Sequence, residues 1–242
     1  MLIINNGVPK SGSTWMQTIL RNHIDPQYPS ETWANGWMNP SVDHEKLEGY
    51  IASGEWRTGP TLLKLHLTFT PEFAFLDRPE VRIVVSYRNL PDSVVSWFHH
   101  QKRQGEVSED QKQTWLEGAG RRYALRAAHH RLSWQGRPNA ILIRYEDMLQ
   151  DAAPHILNVM EFVGVPCTAL QAARLAEDTQ VRVNSKAALR EGQHVRTGGL
   201  SVARDELPPH IHAELEELQT QLEAGSLDDD AGKAFLNGTL VA

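Results

Sequence analysis

The chain has a single cysteine, Cys167, among 242 residues. No internal disulfide can form, which suits a reducing compartment. Long hydrophobic runs are lacking too. No stretch approaches the roughly 18 apolar residues of a membrane span. The opening "MLIINNGVPK" has too short an apolar run for a secretory leader, and it passes straight into a loop. Nor is there an excess of positive charge. The net charge is -6, which argues against a general binder of nucleic acid or of anionic membranes. No internal repeat and no low-complexity segment is visible. What remains is the expectation of a soluble, cytoplasmic protein whose 242 residues form one domain. The residues present agree: 40% are hydrophobic, enough for a substantial core, and 22% are charged, too few for a wholly disordered chain.

Hydrophobic patterning gives the order of elements. "LIINN" (2–6) predicts a short buried strand, followed by a glycine turn and then by "TWMQTILRNH", apolar at helical spacing. Residues 25–60 mix prolines and glycines with Trp33, Trp37 and Trp56. They read as an irregular cap or substrate-facing segment, although core packing is the simpler fate of the tryptophans. "TLLKLHLTF" (61–69) and "VRIVVSYR" (81–88) are further strands, the latter β-branched and nearly continuous, as in the middle of a parallel sheet. A helix follows with Pro91 in its first turn, then a long helix near 109–135, a strand at 139–148, and a helix ended by Gly164. Residues 180–208 form a polar, glycine-containing loop before a last amphipathic helix. Strands separated by helices predict an α/β fold, a central parallel sheet flanked by helices.

The first turn carries chemistry. Gly7 and Gly12 have the spacing of the phosphate loop G-x-x-x-x-G-K-[ST], but Ser13 fills the lysine slot and Lys10 sits inside the loop. A glycine turn between strand and helix lets backbone N–H groups wrap an anion at a helix N-terminus. Ser11, Ser13 and Thr14 add hydroxyls. Arg88 occupies the place after the third strand where a triphosphatase would hold magnesium with an aspartate. The loop therefore suits one phosphate without an obligatory metal. The plainer alternative is a glycine turn with an incidental surface lysine.

"PKSGSTW" resembles the 5′-phosphosulfate loop, P-K-[ST]-G-[ST]-[ST]-W, of the cytosolic-type sulfotransferases, which use 3′-phosphoadenosine 5′-phosphosulfate (PAPS). The resemblance implies a P-loop-like nucleotide site. Lys10 would contact the 5′-phosphate and bridging oxygen, with Ser11, Gly12, Ser13 and Thr14 around them. Trp15 would stack on adenine, unless it is simply a core residue of the first helix. A second family signature places an arginine at a strand end and a serine eight residues on, both on the 3′-phosphate. "VRIVVSYRNLPDSVVSWF" supplies Arg88 and Ser96. An arginine at the carboxyl end of a parallel strand lies where such sheets bind ligands, and it can clamp a phosphate bidentately. A late R-K-G element is matched by Arg196, Thr197 and Gly198, with threonine in the lysine position; "LREG" (Arg190, Gly192) competes with it. Tyr145 of "RYEDM" falls where the family brings a tyrosine near adenine, though a half-buried strand tyrosine fits as well.

"LLKLHL" places Lys64 and His66 at i and i+2 of a strand, on one side of the sheet. This resembles the family's K-x-H, in which the histidine is the base and the lysine assists at the sulfuryl oxygens. Histidine titrates near neutral pH, which suits a general base. Glu31 is the reserve base. The pairs His99 and His100, His129 and His130, and His210 with His212 read as helix-surface residues, and none has zinc spacing. The expected activity is transfer of a sulfuryl group from PAPS to a hydroxyl of a small molecule or glycan, with no metal. The alternatives are an ATP-dependent P-loop kinase or NTPase, and a catalytically silent nucleotide-binding protein.

Overall fold

Four apolar runs become strands: β1 (Leu2–Asn6), β2 (Thr61–Leu65), β3 (Val81–Tyr87) and β4 (Ala140–Arg144). They form one parallel sheet in the order β2-β1-β3-β4. The computed structural model describes residues 1–27, 44–184, 203–228, 230 and 232. Glu31, Trp33 and Trp37 lie outside the described residues, as do Arg190, Gly192, Arg196, Thr197 and Gly198. The helices are α1 (Ser13–Ile24), α2 (His44–Ser53), α3 (Leu90–Arg103), α4 (Lys112–Trp115), α5 (Arg121–Trp134), α6 (Tyr145–Gln150), α7 (Ala152–Phe162) and α8 (Ala169–Asn184). Two more helices, Ala203–Glu206 and Pro209–Ala224, follow. Among the described residues no helix is long and apolar enough to cross a membrane.

The chain divides into two compact units, Met1–Tyr87 with Ser133–Arg182, and Arg88–Leu132 with Val183–Ala242. The first unit holds the sheet. Strand side chains alternate between faces, so Leu2, Ile4, Leu63, Leu65, Ile83 and Val85 point to one side and are buried there with Leu47, Ile51, Trp56 and Trp134. The other side takes α1, which packs on β1 and β3. Burial of this double-sided sheet explains its nearly continuous apolar strands.

Several expected boundaries move. Residues 25–60 are not irregular throughout: α2 supplies Leu47, Tyr50 and Ile51 to the core, and Trp56 is 1% exposed. Burial of that apolar face outweighs the local proline and glycine signals. The second strand stops at Leu65 instead of Phe69. The fourth stops at Arg144, and "YEDM" opens α6, with Glu146 and Asp147 in the first turn, where the helix dipole favours acids.

The second unit is helical. Gln219 accepts the backbone N–H of Leu90, and Arg121 grips Glu214 through two nitrogens at 2.8 and 2.6 Å. Trp97 stacks on Tyr123 and on His100. His130, expected on a helix surface, is 1% exposed; helical spacing alone does not tell which face a histidine occupies.

Candidate active site

The turn after β1 is built by two left-handed residues, Lys10 at φ 72° and Gly12 at φ 88°. For lysine this region is sterically unfavourable, and such a conformation persists only where the surroundings impose it. Glycine is required twice nearby. A Cβ on Gly7 would lie 2.6 Å from Ser11 Oγ and 2.8 Å from the Ser86 carbonyl oxygen. A Cβ on Gly12 would meet the Tyr145 ring at 2.6 Å. Ser11 folds inward, its hydroxyl donating to the Val8 carbonyl at 2.7 Å. Gly12 then caps α1 without a side chain of its own to take the helix's leading N–H groups, and the first turn holds no acidic residue. The start of α1 therefore carries the positive end of the helix dipole.

Lys64 is 5% exposed, and its ammonium donates to Thr14 Oγ1 at 2.9 Å. Burial disfavours its charged form and pulls its pKa down to about 8. His66 lies one residue beyond β2. Its Nδ1 is hydrogen-bonded to the Gly7 carbonyl oxygen. A carbonyl can only accept, so Nδ1 carries the proton and Nε2 is the basic nitrogen. Lys64 and His66 thus both reach the loop between β1 and α1, one at each end of it.

Trp15 is buried; its indole N–H donates to Thr179 Oγ1 at 2.7 Å, and its ring meets Tyr145 edge-on with centroids 6.2 Å apart. Tyr145 is buried against Gly12. Both therefore lie at the loop and are part of its packing.

Arg88 belongs to the second unit and is the residue after β3. Asn89 caps α3, its side chain accepting the Asp92 N–H at 2.9 Å. Asp92, 2% exposed, lies 3.8 Å from the Arg88 guanidinium and also accepts the Ala203 N–H at 3.2 Å. Ser96 is half-buried in the second turn of α3. Sequence reading overlooked Asp92, and it overlooked Asn5 and Asn6, both fully buried. Asn5 Nδ2 donates to the Ser13 carbonyl and to Gln17 Oε1, each at 2.8 Å, tying α1 to β1. Two polar residues ending an apolar strand before a glycine turn are a signal that could have found the asparagines.

The chain matches the sulfotransferase domain family over residues 2–218. It is 25% identical over 184 residues to zebrafish (Danio rerio) sulfotransferase 6B1, covering 69% of this chain and 58% of the relative. Human sulfotransferase 4A1 is 28% identical over 181 residues, covering 70% of this chain and 62% of the relative. The chain therefore spans about three fifths of these curated relatives. Among solved structures, mouse sulfotransferase SULT7A1 complexed with PAP superposes with a TM-score of 0.65 at 20% identity, over 97% of this chain and 87% of that one. Retinol dehydratase in complex with androsterone and inactive cofactor PAP gives 0.57 at 18% identity, over 94% and 80%. These likenesses show the fold: α/β, with a central parallel sheet.

Proposed function

The chain belongs to the sulfotransferase domain family, and we propose that it transfers a sulfuryl group from PAPS to a hydroxyl of a small-molecule acceptor. The observation that carries this reading is the loop between β1 and α1: it has Lys10 inside, an uncapped helix start behind, and Lys64 and His66 at its two ends. Such a cationic, donor-rich turn suits a phosphosulfate. Lys10, Ser11, Gly12, Ser13 and Thr14 hold the 5′-phosphosulfate, and Trp15 and Tyr145 border the adenine. Arg88 and Ser96 take the 3′-phosphate, and the R-K-G match assigns Arg196, Thr197 and Gly198, outside the described residues, to the same group. The family match runs through residues of both units, which supports reading them as one catalytic domain. Residues 25–60 serve the acceptor side. The androsterone bound by the retinol dehydratase neighbour favours an apolar alcohol over a glycan. The single cysteine fits a cytoplasmic location.

His66 acts as the base. With the proton held on Nδ1 by the Gly7 carbonyl, Nε2 takes the acceptor's hydroxyl proton. The acceptor oxygen bonds to sulfur, the bond from sulfur to the 5′-phosphate oxygen breaks, and adenosine 3′,5′-bisphosphate (PAP) leaves. Lys10 and Lys64 stabilise the charge that moves onto the sulfuryl and phosphate oxygens.

Ligand-induced stabilisation tests the reading. PAP should raise the melting temperature in the presence of EDTA, because a ligand bound to the native state alone stabilises it. ATP with magnesium should do less at equal concentration. Equal stabilisation by both, abolished by EDTA, overturns the assignment in favour of a metal-dependent NTPase.

The burial of Lys64 gives a pH prediction. Its ammonium is charged below its pKa of about 8 and neutral above it. The dependence of kcat/KM reports groups of the free enzyme, so kcat/KM for PAPS should decline above about pH 8. Lys64→Arg keeps its charge through this range and should lose the alkaline decline. An unchanged alkaline limb in Lys64→Arg assigns that limb to another group.

A further inference from the structure

Beyond Leu65, β2 pairs with no strand among the described residues. The β1–β2 ladder ends at the pair Asn6↔Leu65, because the chain after Asn6 turns away into the loop. His66 and Leu67 nevertheless sit in fixed places. The buried carboxamide of Asn6 supplies what a strand neighbour would: Oδ1 accepts the Leu67 N–H at 2.7 Å, and Nδ2 donates to the Leu67 carbonyl at 2.9 Å. The indole N–H of Trp134 adds a second donor to that carbonyl at 2.7 Å. On the other side of His66, Leu65 is held by the ladder, and the imidazole is held by the carbonyl of Gly7, the residue next to Asn6.

We propose that Asn6 is the positioning residue of His66: its side chain extends the β1–β2 ladder by one step and holds the imidazole with Nδ1 on the Gly7 carbonyl and Nε2 as the base. This rests on the reading of His66 as the base. A single two-residue unit, Asn6-Gly7, then fixes both the backbone after the histidine and its tautomer. The orientation matters because a base must lie within hydrogen-bond reach of the proton it removes, and a ring free to turn about its Cβ–Cγ bond would present Nε2 only part of the time. A bidentate contact of this kind requires a carboxamide. Alanine offers neither group. Aspartate keeps the acceptor for the Leu67 N–H but sets a carboxylate oxygen against the Leu67 carbonyl.

The test is a kinetic cycle on the full chain, with 2-naphthol as the probe acceptor and PAP binding measured alongside. Asn6→Ala should lower kcat about tenfold to a hundredfold and leave PAP affinity within about twofold. In a His66→Ala background the same change should cost less than about twofold, since a residue that acts only through His66 has nothing left to position. Nitrogen-15 NMR of the histidine rings gives a readout that needs no acceptor. His66 should show one tautomer, protonated at Nδ1, in the parent and an averaged tautomer in Asn6→Ala. Equal losses in both backgrounds, or an unchanged ring signal in Asn6→Ala, overturn the inference and leave His66 as the base. Parent-level kcat in His66→Ala overturns the base reading and the inference together. If Asn6→Ala fails to bind PAP because it does not fold, Asn6→Asp and Asn6→Ser take its place. The inference falls if neither separates turnover from PAP binding.

Discussion

His66→Ala is expected to cut kcat by roughly 10²–10⁴ and to leave PAP affinity within a few-fold, the usual worth of a positioned general base. The expectation follows from where the ring sits. Nδ1 is engaged by the Gly7 carbonyl, so the ring meets the loop through the nitrogen that does no proton transfer. Its loss leaves intact the features proposed to hold the anion: the left-handed turn at Lys10 and Gly12, the start of α1, and the Lys64–Thr14 contact. The pH profile supplies the second half of the argument. For a hydroxyl acceptor the parent rate should fall on the acid side as the imidazole takes up a proton, because histidine titrates near neutral pH. His66→Ala should lose that limb. Lys64→Ala should lower the rate and keep it. A His66→Ala enzyme with the parent's kcat would move the search for the base to Glu31.

The parts of this site that sequence makes legible are those where chemistry and backbone geometry are local. The loop is readable because Gly7, Lys10, Gly12 and Thr14 lie within eight consecutive residues between an apolar strand and an amphipathic helix. Both glycines have a steric reason in the structure: a side chain at Gly7 would strike Ser11 and Ser86, and one at Gly12 would strike Tyr145. The K-x-H pair is legible for the same reason, and the structure brings both residues to the loop. β3 and the start of α3 are also local, since the capping contact from Asn89 to Asp92 and Pro91 in the first turn are written into one short stretch.

What sequence hides is set by distant partners. The end of β2 depends on Asn6, 61 positions from Leu67, and on Trp134, 67 positions from it. An apolar run such as "LHLTF" contains no sign that side chains take up the backbone hydrogen bonds of Leu67. Trp56 illustrates the reverse error. Glycines on both sides place it in an apparent loop, yet it is buried in the core with Leu47 and Ile51 of α2. Asp92 is hidden in the sequence because a lone aspartate in a helix's first turn is usually a solvated dipole partner. Only the fold puts the N–H of Ala203, 111 positions away, on its carboxylate.

Asp92 frames the second large effect, expected at Arg88. Arg88→Ala should weaken PAPS binding by about one to two decades and barely change the affinity for adenosine 5′-phosphosulfate, which lacks the 3′-phosphate. Loss of a charge-assisted contact of this kind costs about 1.5–3 kcal/mol. The comparison of the two nucleotides matters because Arg88 also has a structural neighbour. Its guanidinium lies 3.8 Å from Asp92, whose carboxylate is 2% exposed. Truncation removes that charge. Asp92 keeps the Asn89 side-chain N–H at 3.0 Å and the Ala203 N–H at 3.2 Å, so the carboxylate stays hydrogen-bonded and the start of α3 should hold. A structural failure would weaken both nucleotides alike and lower the melting temperature of the unliganded protein. A phosphate-binding role weakens only the nucleotide that carries the 3′-phosphate. Isothermal titration of Arg88→Ala with the two nucleotides at one ionic strength separates these outcomes. Equal losses for both would remove Arg88 from the nucleotide site and leave it as the ion-pair partner of Asp92.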